Sequence, residues 1–226
     1  MRSTLFTIFL FVAVPALAQN TTISASIAGD IARFTRTDTG ALPVGDLATL
    51  DGEAIGFTVG VGRAIGERWG VAMEFGRTGE IERRHEMDID PRISARPSLV
   101  PPGIPIPDFS FVTTTEIQVM TISALAWVKH DAGDRVEMTY TGGMTFARSE
   151  SERDFEITDP RLLAIWALPT GLKTIEYDQA PVAGIDAAIK FTEHTALIAG
   201  VRLHGIRVQA QSGWLVRPAI GVRWGF

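Results

Sequence analysis

Cysteine does not occur among the 226 residues, which excludes a disulfide framework, a thiolate zinc site and a cysteine nucleophile. Positive charge is not in surplus either. Lys and Arg number 21 against 26 Asp and Glu, a net charge of −5, so the chain carries no electrostatic footprint for nucleic acid. Long apolar runs are missing once the first is past, and nothing after it approaches the ~20 residues a spanning helix needs. Mean hydropathy is nevertheless positive at +0.15. With 22 glycines and 21% charged residues, that value does not describe a helical membrane bundle.

The one long apolar run is an address. Met1 and Arg2 give a positive start, Leu5 to Val14 an apolar core, Pro15 a break, and Ala16-Leu17-Ala18 a small-x-small cleavage site. Residues 1–18 are expected to be a secretory signal peptide. Residues 19–226 are then the mature domain.

Its dominant pattern has a period of two, the signature of strands with one apolar face. At the C-terminus Trp214, Val216, Pro218, Ile220, Val222, Trp224 and Phe226 alternate with mostly small or charged residues. The pattern recurs at Ile55–Val61, Trp69–Phe75, Val136–Phe146, Ala183–Phe191 and Leu197–Leu203, and more weakly at Ile23–Ile31. Thr113–Val128 reads as a strand whose two faces cannot be told apart, which makes eight strands. Tight turns at Ile65–Arg68, His130–Asp134 and Thr192–His194 alternate with longer connections at 37–51, 84–110, 150–178 and about 208–213. Antiparallel neighbours therefore put all short turns at one end and all long loops at the other. This predicts an all-β fold, an eight-stranded antiparallel up-and-down transmembrane barrel with both termini at the periplasmic end.

A soluble barrel would bury its apolar faces inwards, whereas a membrane barrel turns them to lipid. The opposite faces carry Asp30, Glu74, Glu137, Asp186, Lys190, Arg202, His204, Arg217 and Arg223 among Gly, Ala and Thr. The interior of an eight-stranded barrel is barely wide enough for side chains, which suits small residues and charges that neutralise one another. Phe146 and Trp214 fall near the long-loop end, and Trp69, Phe191, Trp224 and Phe226 near the turn end, where two interfacial aromatic belts are expected. The membrane barrel is the reading adopted.

On these residues the chain resembles the outer-membrane proteins of Gram-negative bacteria, and in size and strand number the small OmpA-like, opacity-type barrels. The resemblance implies a place in the outer membrane, among its lipid and lipopolysaccharide. It also implies that Trp224 and Phe226, closing an alternating last strand, act as the signal read by the barrel assembly machinery. Anchoring to the cell wall is not implied, because the peptidoglycan-binding domain of longer members has no counterpart here.

For function, the lumen charges Asp30, Glu74, Glu137, Asp186, Lys190, Arg202, Arg217 and Arg223 are expected to form an ion-pair network that plugs the barrel. The alternative is a narrow, porin-like path for small solutes or ions. The first pairs to look for are Glu74 and Glu137 with Arg202, Arg217 or Arg223. The loop 84–110, with Pro91, Pro97, Pro101, Pro102, Pro105 and Pro107, and the loop 150–178, with the apolar stretch Arg161–Pro169, are the expected contacts for an extracellular partner. His85, Glu86, Asp88 and Asp90 lack the spacing of a calcium loop and read as solvated charge. Gly56 and Gly60 read as two inward glycines. A lipid-modifying enzyme is the less favoured class: His204, Ser212 and Glu150 or Glu152 are the only residues from which a catalytic group can be assembled. No pattern asks for a cofactor or metal.

Overall fold

The computed structural model describes residues 20–35, 51–89, 109–133, 135–157, 171–208 and 211–226, and every regular element among them is a strand. In chain order these are β1 (Thr21–Thr35), β2 (Gly52–Ala64), β3 (Trp69–Arg77), β4 (Ile81–Ile89), β5 (Phe109–Asp131), β6 (Val136–Ile157), β7 (Leu172–Lys190), β8 (Thr195–Val208) and β9 (Gln211–Gly225). All pairings are antiparallel, and β1 closes onto β9 from Thr22↔Gly225 to Thr35↔Ser212. β3 and β4 share one place in the ring, because both pair with β5: β3 with its second half and β4 with its first. The result is a closed barrel of eight staves.

The break between β3 and β4 is a bulge. Arg77 pairs with Met120 and Ile81 with Ile117, so one strand spends one residue more than its partner. Thr78 keeps the ladder intact across it, its N–H donating to the Val119 carbonyl at 2.9 Å and its hydroxyl accepting from the Val119 N–H at 2.8 Å. The extra residue exchanges the faces: even-numbered residues point inwards up to Thr78, odd-numbered ones from Ile81. A period-two signal that changes phase ends at the bulge, which is why the strand beyond it was expected to be loop.

Three expected loops are shorter than the sequence suggests. The ladder continues to Ile89 and resumes at Phe109, so only the middle of 84–110 connects. β6 runs to Ile157 and β7 starts at Leu172, inside the expected loop 150–178. β8 and β9 stay paired to Val208↔Gln211, which leaves residues 209 and 210 as the whole connection where 208–213 was expected. His85, Glu86 and Asp88 accordingly lie on the β4 ladder and not in a loop. Asp90, the prolines at 91–107, Arg161–Pro169 and the signal segment 1–18 fall outside the described residues.

Crossing a bilayer takes about 9–11 tilted residues per strand. β5, β6 and β7 have 23, 22 and 19, so one side of the barrel stands well above the membrane. The outward face is apolar: Val59 is 45% exposed, Val71 45% and Ile220 57%. Trp69, Phe191, Trp224 and Phe226 ring the turn end of this belt, and Phe146, Tyr177 and Trp214 its other edge, all exposed. A closed barrel with that belt satisfies every ladder bond internally and seats in a bilayer.

Candidate functional site

The inward positions form a filled lumen with distinct levels. On β5, whose faces the sequence left undecided, the odd residues point in, including Ile117, Val119, Thr121, Ser123 and Leu125.

Towards the long-loop end an apolar cluster fills the barrel, with Thr78, Ser149 and Ser151 buried at its edge. Ala32, Phe34, Ile81, Ile117, Val119, Ala147, Ile206, Val208 and Leu215 form one cluster of buried side chains across the barrel. Sequence reading missed this cap. Its residues sit at the outer ends of the strands, where the contrast is reversed: Arg33, Glu82, Glu116 and Arg207 face out beside them, so the apolar-out alternation that marks the lipid belt does not mark the cap. Asp51 trims its edge by accepting the Phe34 N–H at 2.7 Å.

Below the cap Arg217 and Asp30, both fully buried, form an ion pair through Arg217 Nε and Asp30 Oδ1. Arg217 Nη1 also donates to Thr121 Oγ1 at 3.0 Å. Gly76 is required here, because a Cβ at that position would overlap the Arg217 guanidinium; one at Gly56 would overlap Asp30. Beside this pair His204 Nδ1 lies 3.0 Å from Thr145 Oγ1, which is 2.6 Å from Ser123 Oγ.

At the next level Arg202 forks onto Asp186, with Nη1 to Oδ1 at 2.6 Å and Nη2 to Oδ2 at 2.9 Å, and reaches Glu74 at 3.2 Å. The last level is the mouth at the turn end. There Glu137 takes Arg223 at 2.7 Å, Lys190 at 3.4 Å and Lys129 at 3.8 Å. A cavity of about 420 Å³ opens at this mouth and reaches inwards as far as Arg202 and Arg217.

All eight lumen charges named from the sequence thus lie inside the barrel, each in an ion pair. Glu74 meets Arg202, Glu137 meets Arg223, and Arg217 takes Asp30 in place of either glutamate. Lys129 was missed, because it lies just past the stretch of β5 read as a strand. Trp224 and Phe226 point outwards at the turn end.

The one catalytic group that the sequence allowed as a less favoured alternative does not assemble. His204 is buried in the lumen, whereas Ser212, Glu150 and Glu152 lie on the outward face, with the wall between them. Among the described residues no group of three or more His, Cys, Asp or Glu could hold a metal ion.

No family model matches the chain, and no curated protein does. Solved structures do. Neisserial surface protein A superposes with a TM-score of 0.56 at 13% identity, covering 92% of this chain and 98% of that one. The outer membrane protein OprG from Pseudomonas aeruginosa gives 0.51 at 11% identity, covering 92% and 97%. At these identities the likeness is one of fold. The fold is that of the small outer-membrane β-barrels.

Proposed function

We propose that this chain is an outer-membrane barrel with a structural or surface-interaction role, its lumen closed to through-passage. The observation that carries this reading is the stacking of two unlike fillings. Ion pairs occupy the turn-end half, and an apolar cluster spans the barrel above them. A narrow ion path would need polar groups along its whole length, and the clustered side chains from Phe34 to Leu215 offer none, the buried hydroxyls of Ser149 and Ser151 lying at the β6 edge of the cluster. The tall side built by β5, β6 and β7 supports the surface role, since the upper ends of these strands stand above the membrane, where an extracellular partner can reach them. Lipid and lipopolysaccharide are the partners of the belt. The assembly machinery would read Trp224 and Phe226 during insertion.

Planar-bilayer recording tests the reading. A barrel that shows folded, heat-modifiable migration on gels is expected to stay silent, and discrete conductance steps would overturn it in favour of the narrow channel.

A further inference from the structure

The mouth of the lumen carries more positive charge than its own carboxylate uses. Lys129, Lys190 and Arg223 converge on the single buried acid Glu137. The other acids nearby are Asp131, which is largely exposed and touches Lys190 at 4.0 Å, and Glu193, exposed on the adjoining turn with His194. One level deeper the balance reverses, because Arg202 alone faces both Glu74 and Asp186. The same wall presents two buried hydroxyls, Thr139 Oγ1 and Thr141 Oγ1, that have no partner among the described residues. Register sets Thr139 directly opposite Lys129 and two residues from Glu137 on one inward face. All of these groups except Asp131 line the cavity that opens at the turn end.

We propose that this mouth binds a small oxyanion of the phosphate class, entering from the periplasmic side. Lys129 and Lys190 supply the charge as compact ammonium groups, and the two threonine hydroxyls supply directed donors. Arg223 stays on Glu137 through its shorter contact. The acidic level at Glu74 and Asp186 repels the anion from going deeper, so the site holds it and does not pass it on. The inference stands whether or not the lumen is sealed, since a conducting barrel would present the same mouth.

The test is a titration of the folded, isotope-labelled barrel in detergent micelles with inorganic phosphate, at constant ionic strength made up with chloride. Saturable amide shifts are expected, confined to residues around 129, 137–141 and 190. The double change Lys129→Gln/Lys190→Gln, in a sample that keeps heat-modifiable migration, should weaken binding about tenfold or more, since each charge-assisted bond contributes that order. Thr139→Val/Thr141→Val keeps shape and charge and should weaken it severalfold, which guards against a lysine variant that does not fold. An equal response to chloride, shifts that never saturate, or unchanged binding in both variants would overturn the site.

Discussion

At the turn end the inward positions of β6, β7 and β9 carry Glu137, Lys190 and Arg223 around open space, while at the long-loop end those of β1, β8 and β9 carry Phe34, Val208 and Leu215 packed to exclusion. The pleat aims both sets in the same direction. What differs is how each half is held. The apolar cap is stabilised by many small contacts, any one of which can be lost at moderate cost. The ionic half is stabilised only while each charge keeps its partner, because a buried charge left alone is far more costly than a missing methyl group. A lumen built from both should therefore break in two distinguishable ways.

The largest effect is expected where a charge is stranded deepest. Asp30→Ala leaves Arg217, fully buried, without its carboxylate, and should cost about 3–5 kcal/mol in urea unfolding from lipid vesicles. Replacing both partners, Asp30→Ala with Arg217→Met, should recover much of that loss. If the double variant is as unstable as the single one, the pair is not the unit that matters. The double variant should also remain silent in planar bilayers, because the cap above it is untouched.

The cap gives the complementary result. Leu215→Ala, at a side chain with no exposure, should cost about 3 kcal/mol through lost contacts and the cavity left behind. It should still not conduct, since an apolar cavity of that size stays dry. Leu215→Asn adds a polar group inside the cap and should let water and small ions through, seen as brief conductance bursts. Were Asp30→Ala/Arg217→Met to conduct and Leu215→Asn to stay silent, the ion pairs would be the seal and the cap merely filler.

These contrasts also mark what the sequence could convey. Strand number, the closing β1–β9 pair and the outward belt were legible because large apolar residues at Ile55–Val61, Trp69–Phe75 and Trp214–Phe226 alternate with glycine, threonine and charge. The lumen charges were legible as a group for the same reason, but not their pairing, which depends on register. Arg217 reaches Asp30 rather than a glutamate because β1 and β9 are neighbours and Gly56 and Gly76 leave room. The cap and β4 were not legible. In the cap the apolar face turns inwards while Arg33, Glu82, Glu116 and Arg207 face out, the reverse of the belt's pattern, and at β4 one extra residue around Thr78 to Glu80 exchanges the faces midway. The extent of β6 and β7 above the membrane was hidden as well, since a strand leaving lipid loses the contrast between its faces.

Outside the barrel, charge is arranged by the opposite rule, and a smaller effect is expected there. Register places Glu82 opposite Glu116 and Glu116 opposite Glu152, a row of like charges across β4, β5 and β6, all exposed. Directly opposed like charges destabilise a sheet modestly. Glu116→Lys would turn both contacts attractive and should stabilise the barrel by about 0.5 kcal/mol in low salt, with the gain fading as salt is added. Inside the lumen the corresponding change, Glu74→Lys, should be strongly destabilising because it would set a second cation against Arg202. A sign common to both variants would erase the distinction between wall and lumen.

The smallest effect concerns a charge cluster that is satisfied yet exposed. Above the belt on β6, Glu150 accepts from Lys173 and, at 2.8 Å, from Arg148. The hydrogen bond from Lys173, followed by that from Arg148, holds the Glu150 carboxyl below the usual carboxylate range. Its folded value being depressed, the stability it supplies is fully present above the ordinary glutamate value near ~4.3 and is lost as pH falls through the lower folded value. Glu150→Gln should therefore leave the neutral-pH midpoint almost unchanged and flatten the acid end of the curve only slightly, because water competes for every group in the cluster. Following the urea midpoint between neutral pH and the acid limit in both proteins gives the comparison. A loss for Glu150→Gln as large as that for Asp30→Ala would mean that burial is not what separates the costly pairs of the lumen from the cheap ones of the wall.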